Sequence, residues 1–292
     1  MFKFAFVGHR LVAMLGLCVL TAMGAAPTQD FVGRAAAQTG AVGLEAVPDL
    51  SGRWVRRGQF PSTYEIPQDP SLRPGPLVNT ITGENQGLVW VADHTNALLK
   101  PWVAEYLRLR GEAELIAVGT IAHNLCWSSG VPQAINLREN VTFLQEENLV
   151  TILYQRDHMV RRVYLNEEHP DNLTPSWYGH SVGHYEGDTL VIDTIGMNAN
   201  TGTDRFNTPH TEQLHVVERY RVIEDGEACE ACEALRVTIR VEDPGAFNMV
   251  WYAQATYRRN QNGFEEIVCM ENNRDVVTGR DYHGPVDYSP DF

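Results

Sequence analysis

The chain has 292 residues and a formal net charge of −14, and loss of an N-terminal signal carrying Lys3 and Arg10 would leave it more acidic still. A surface of that sign repels phosphate backbones and anionic headgroups, which argues against nucleic-acid and membrane-surface roles. With 43% hydrophobic residues, the length suffices to bury the core of one large domain or two small ones.

The N-terminus reads Met1-Phe2-Lys3, then Arg10, then an apolar run over residues 11–22 ending in small residues, the layout of a secretory signal peptide. Small-residue patterns allow cleavage after Gly24 or after Ala37. Lipidation of Cys18 is disfavoured, because Leu17 is too bulky for the position before a modified cysteine. No later segment is long and apolar enough to span a bilayer. Residues 1–37 are therefore assigned to signal and leader, with a secreted or periplasmic destination in a bacterium. The Ala-, Gly- and Thr-rich stretch up to residue 48 has no periodicity and reads as flexible.

Structure is expected from Asp49 onward. Pro61, Pro67, Pro70, Pro74 and Pro76 make residues 60–90 an extended, loop-rich wrap. Leu99, Trp102, Val103, Tyr106, Leu107 and Leu109 recur at helical spacing, which predicts a helix over 98–117 with Pro101 in its first turn and Gly111 as a candidate break. After Asn140 the pattern turns to strands, at 141–145, 149–155, 159–165, 181–186, 188–196, 214–223, 235–242, 249–259 and 264–269. Their connections are mostly too short for crossover helices. The expected fold is mainly β, an antiparallel meander forming a closed or partly closed, lipocalin-like β-barrel with one helix in the N-terminal half. Leu235, Val237, Ile239 and Val241 alternate with Arg236, Thr238, Arg240 and Glu242, as one buried and one wet face require.

Cys126, Cys229, Cys232 and Cys269 remain after signal removal, an even number that allows three pairings. Cys229 and Cys232 form a C-x-x-C, but the flanking Glu227, Glu230 and Glu233 raise thiol pKa values and oppose a redox role, so a structural turn is expected.

Six of the ten histidines lie between residues 158 and 215, where proton-transfer chemistry is to be sought. The segment 179–183 matches the G-x-S-x-G of a serine nucleophile, but a strand follows it where the elbow needs a helix, so Ser181 is set aside. His180 and His184 share one face of a strand. Asp193 interrupts an apolar strand and needs a partner, either a histidine or Arg162. In one register of the next strand Glu218 is an internal acid and His215 points outward; in the other His215 and Arg219 point inward. Asp204, His210 and His215 are weak metal candidates without a ligand spacing that fixes geometry, so no cofactor is expected and a divalent metal stays open. Trp177, Tyr178, Tyr185, Trp251 and Tyr252 could wall a pocket for an apolar ligand.

Asp49-Leu50-Ser51-Gly52-x-Trp54, Cys126 with Gly130-Val131-Pro132, residues 161–165, His169-Pro170 and residues 177–196 together form a recognisable pattern. It continues with Pro209-His210, residues 214–220 and Cys269-Met270-Glu271-Asn272. The whole resembles a family of exported bacterial proteins whose core runs W-x-G-H-S-x-G-x-W-E-G-D-T-L-V-V-D-T-x-G-F, with a C-terminal C-x-E-N. Tyr185 stands where the pattern has Trp, Met197 where it has Phe, and the Cys229/Cys232 turn is extra. The resemblance implies a single exported β-rich unit over residues 49–292 and points to His180, Asp193, His210, His215, Glu218 and Arg219. It also implies that Cys126 and Cys269, both in the pattern, lie close together, leaving Cys229 and Cys232 to pair locally. It names no substrate.

The leading expectation is an exported enzyme that binds a small, partly apolar organic molecule in a barrel pocket and acts by general acid–base catalysis, through elimination, isomerisation or cyclisation. His180 or His215 would move the proton, with Glu218 as a further acid; Asp193 would orient the histidine, and Arg162 or Arg219 would hold an anionic group. The rivals are a non-catalytic lipocalin-type binding protein and a metal-dependent hydrolase. The sequence leaves the oligomeric state open.

Overall fold

A computed structural model describes residues 47–57, 64–75, 92–116, 126–156, 158–225, 232–261, 263 and 265–269. The expected signal and leader, Cys229, and the Met270-Glu271-Asn272 end of the C-terminal pattern lie outside the described residues. The chain divides into a unit of residues 1–44 and a unit of residues 45–292 that holds the barrel.

Nine strands close into one barrel: β1 (Gly52–Arg56), β2 (Val141–Gln145), β3 (Leu149–Tyr154), β4 (Val160–Leu165), β5 (His180–Glu186), β6 (Thr189–Ile195), β7 (His215–Glu224), β8 (Glu233–Glu242) and β9 (Trp251–Arg259). Neighbours in sequence are neighbours in the sheet, and β9 returns to pair with β1, Trp54 opposite Arg259. Two expectations about the sheet need correction. The last strand is not residues 264–269, where Ile267 makes only a single bridge to Arg156; the strand that closes the barrel is β1. The meander is also not wholly antiparallel, because β4 and β5 run parallel, Val163 opposite Ser181. The segment 166–179 between them is long enough to carry the chain back along the barrel, as a parallel pair requires.

Alternation puts one face of each strand inside. Along β8, Leu235, Val237, Ile239 and Val241 are fully buried, and Phe143, Ile152, Val163, Ile192 and Trp251 join them in one core. β7 takes the register in which Val216, Glu218 and Tyr220 face inward. Burial of these inner side chains makes the barrel centre a packed core among the described residues.

The described part of the proline-rich wrap, residues 64–75, bridges the edge of β9 beyond its pairing with β1. Glu65 exchanges backbone hydrogen bonds with Gln254, and its carboxylate accepts from Arg56, Gln254 and Thr256. Gly75 lies where a β carbon would be 2.5 Å from the Trp251 ring, so the wrap could not approach as closely with a larger residue there. The helix α1 (Pro101–Ile116) runs unbroken through Gly111. Val103 and Leu107, one turn apart, are buried, while Trp102, Tyr106 and Leu109 are exposed. Its N-terminus is tied to the β8–β9 connection by Lys100 N–H to Ala246 O and Trp102 Nε1–H to Gly245 O. No helix among the described residues is long and apolar enough to cross a membrane.

A disulfide joins Cys126 to Cys269, with Cα atoms 5.5 Å apart, inside the span such bonds allow. Cys232 is also disulfide-bonded, to a partner outside the described residues.

Candidate active site

The register of β4 to β7 sorts the polar side chains of the histidine-rich window onto two sides of the barrel wall. Inside, Arg161 meets Glu218 with both guanidinium Nη atoms, and its remaining donors reach Ser181 Oγ (3.0 Å) and Thr194 Oγ1 (2.7 Å). Tyr220 adds its hydroxyl to Glu218 at 2.8 Å. Burial works against the guanidinium charge, but the adjacent Glu218 carboxylate more than offsets this and holds Arg161 above its ordinary range. Burial, reinforced by Glu218, pushes the Tyr220 hydroxyl well above its usual range and keeps it a donor. Arg161 had entered only within the 161–165 pattern, with no role beside Arg162; only the β7 register, which calls for a cation near an internal acid, could have singled it out.

Ser181 is thus a buried member of this network at the start of β5, not a nucleophile on an elbow. The glycines flanking it have packing reasons. Gly179 has φ +65°, and a β carbon there would sit 2.3 Å from Ile195 O; one on Gly183 would meet Val163 Cγ1 at 2.8 Å.

Outside, four side chains form a chain. His169, on the 166–179 crossover, places Nδ1 at 2.9 Å from His180 Nδ1 and Nε2 at 3.1 Å from Asp193 Oδ1. His215 approaches the same carboxylate with Nε2, 3.0 Å from Oδ1 and 2.9 Å from Oδ2. Tyr164 lies almost parallel to the His180 ring, 5.3 Å away at 14°. Asp193 comes from β6, opposite Val182 and Val217, so His180 and His215 reach its surroundings from the two flanking strands. The cluster is open to solvent, Asp193 being 38% and His215 34% exposed.

The environment separates the two strand histidines. The hydrogen bond to Asp193 raises His215 above its ordinary range, against a smaller effect of burial. Burial lowers His180, helped by His169 and opposed by Glu167. Burial by itself would raise Asp193, but the bonds from His215 and His169 outweigh it and hold the carboxyl low.

His180, Asp193 and His215 are therefore brought together, with His169, which had entered only as part of the His169-Pro170 pattern. Glu218 is not among them: it is sealed inside with Arg161. Arg162 is exposed on the outer face, one residue before the Val163–Ser181 pair just as His180 is, so the two are lateral neighbours on adjacent strands. It does not serve Asp193, whose partners are histidines. Arg219 is engaged in an exposed ion pair with Glu186 (2.6 Å), which His184 also bonds at 3.0 Å.

The remaining candidates disperse. His210 is buried, donates from Nδ1 to Thr211 O (2.8 Å) and accepts at Nε2 from Thr201 Oγ1 (2.7 Å), and burial lowers its proton affinity. Asp204 is buried in its own loop, accepting from Phe206 N, Thr208 N and Thr208 Oγ1, with burial raising its pKa. Asp204, His210 and His215 thus point to different partners, and among the described residues no group of three or more His, Cys, Asp or Glu is arranged to hold a metal ion. Tyr178 is buried against Tyr154, Tyr185 accepts from Gln145 Nε2, Trp177 packs on Trp127, and Trp251 is inside while its neighbour Tyr252 faces the wrap, so the expected aromatic wall is not one surface.

No protein-family model, curated protein or solved structure matches the chain.

Proposed function

We propose that the protein is an exported enzyme that acts on a small, partly apolar organic molecule by general acid–base catalysis, of elimination, isomerisation or cyclisation type. The packed barrel centre favours the outer wall over an interior pocket as the place of reaction. The observation that carries the reading is the pair of histidines driven apart in proton affinity around one carboxylate, His180 downward and His215 upward. Such divergence supplies a base and an acid at the same pH. His180, neutral, takes a proton from the substrate; His215, the better proton holder, returns one; Asp193 balances the positive charge as it forms. Arg162 beside His180 holds an anionic group of the substrate. The Cys126–Cys269 disulfide supports an oxidising destination.

Solvent deuterium tests the reading. A panel of small enolisable or β-substituted organic acids is incubated with the protein in heavy water and followed by mass spectrometry. At least one compound should gain deuterium or be converted, and His180→Ala and His215→Ala should each slow this by roughly 10²-fold or more. Wild-type rates in both variants, with unchanged melting, would overturn the assignment.

A further inference from the structure

On that acid–base reading, we infer that His169 is a positioning residue that fixes His180 as its Nδ1–H tautomer, leaving Nε2 of His180 as the lone pair that meets the substrate proton. The argument is a count of hydrogens along the chain. An ionised carboxylate brings none, so each nitrogen facing Asp193 must supply its own: His169 Nε2–H at 3.1 Å and His215 Nε2–H at about the same distance. A neutral imidazole carries one N–H, so Nδ1 of His169 is a bare lone pair. It lies 2.9 Å from Nδ1 of His180, which must then be the donor. One ring nitrogen of His180 remains, Nε2, and it has no hydrogen-bond partner among the described residues.

This is the tautomer that a free histidine side chain in water favours less. The stacked Tyr164 ring holds the imidazole plane, so the lone pair has a defined direction as well as a defined position. Among the described residues, the charged or titratable groups around His180 are His169 and Glu167 from the crossover, Arg162 and Tyr164 from β4 and Asp193 from β6. When the substrate C–H bond breaks, its electron pair stays on carbon and the proton goes to His180 Nε2. The Nδ1 proton of the resulting imidazolium can then move to His169 Nδ1, and the positive charge with it toward Asp193. Return of that proton to carbon, or its transfer from His180 to the departing leaving group, restores the resting chain. Asp193 thereby influences His180 through an intervening ring, and the influence depends on the crossover segment being docked.

The imidazole nitrogens report tautomers directly. In the full chain labelled with 15N-histidine, two-bond proton–nitrogen correlation spectra at mildly alkaline pH should show His180 with a protonated Nδ1 and an unprotonated Nε2. In His169→Ala, His180 should revert to a mixture dominated by Nε2–H. Asp193→Asn keeps the His169 ring but removes the group that dictates its tautomer, and should relax the His180 preference as well. A merely structural His169 would leave the His180 tautomer unchanged in both variants. Nε2–H on His180 in the unsubstituted protein overturns the inference without any variant, so failure of a variant to fold leaves it testable. Purification with one equivalent of zinc held by His169 and His215 would also overturn it. If the tautomer is as stated but no compound exchanges deuterium, the acid–base function falls while the positioning role stands; exchange with the opposite tautomer gives the reverse.

Discussion

Arg161 and Glu218 carry a pair of charges into a place where water cannot reach either one. The pair is tolerable because every guanidinium nitrogen of Arg161 is hydrogen-bonded, to Glu218, Ser181 or Thr194. Removal of one partner strands the other: Glu218→Ala or Arg161→Ala should cost about 3–5 kcal/mol of stability in urea unfolding. A loss below about 1 kcal/mol would mean that water enters the barrel. Arg161 was hidden by its neighbour, because a step of one residue along β4 exchanges the inner arginine for the outer one. His169 was hidden differently: its partners lie on strands that follow it, and only the crossover brings it over them.

The outer cluster makes a pH prediction at the same scale. Folding raises the pKa of His215, so its bond to Asp193 stabilises fully below its ordinary 6.5 and fades as pH climbs through the raised value. Folding lowers the pKa of Asp193, so its share is present above its ordinary 3.8 and fades as pH falls through the depressed value. The two windows overlap between about pH 4 and 6.5. His215→Ala should therefore destabilise the protein most near pH 5 to 6 and least near pH 9. Equal destabilisation at both ends would remove the ion pair from the account.

Among the elements, β2 was legible to the residue and β8 to within two, because short β-forming runs stand between polar turns and, in β8, the side chains alternate from Leu235 to Glu242. β1 was not read as a strand. Its five residues, Gly-Arg-Trp-Val-Arg, offer no alternating apolar face of their own, and their place depends on β2 and β9, both distant in sequence. The parallel β4–β5 pair escaped because residues 166–179, rich in polar residues, look like any loop; direction of pairing is a tertiary property. The helix outran Gly111, where the cost of a glycine, about 1 kcal/mol, is small against docking of Val103 and Leu107. Gly179 supports both β5 and the cluster: Gly179→Ala places a β carbon on the Ile195 carbonyl in a left-handed backbone. It should cost about 2 kcal/mol or more. The His180 tautomer signature should be lost with it, as the same spectra would show.

At the scale of the whole molecule, the Cys126–Cys269 bond ties the segment before β2 to the segment after β9, spanning 143 residues of sequence. Its loss in Cys126→Ser or Cys269→Ser should lower stability by about 2–5 kcal/mol. Thermal unfolding with and without reductant measures it, and a reductant-insensitive midpoint would count the bond as unformed. Barrel closure itself was readable, since many short strands with tight connections have few other ways to satisfy their edges. The placement of the histidine–aspartate cluster on the outer wall was not, because periodicity says that two faces differ and leaves their identity to the packing of β4 through β7.

The seam between β1 and β9 fixes the order in which the molecule can be completed. β1 leaves the ribosome roughly two hundred residues before β9, yet Trp54 and Arg259 must stand side by side. Until then the growing chain is an open sheet with two unsatisfied margins, and non-local closure of this kind is slow. The early margin is short and carries Arg53 and Arg56, which discourages mispairing with another nascent copy during the wait. A chaperone that holds the chain extended until its last strand is available would therefore act with the topology of this protein, and a chain truncated before residue 251 could not close at all.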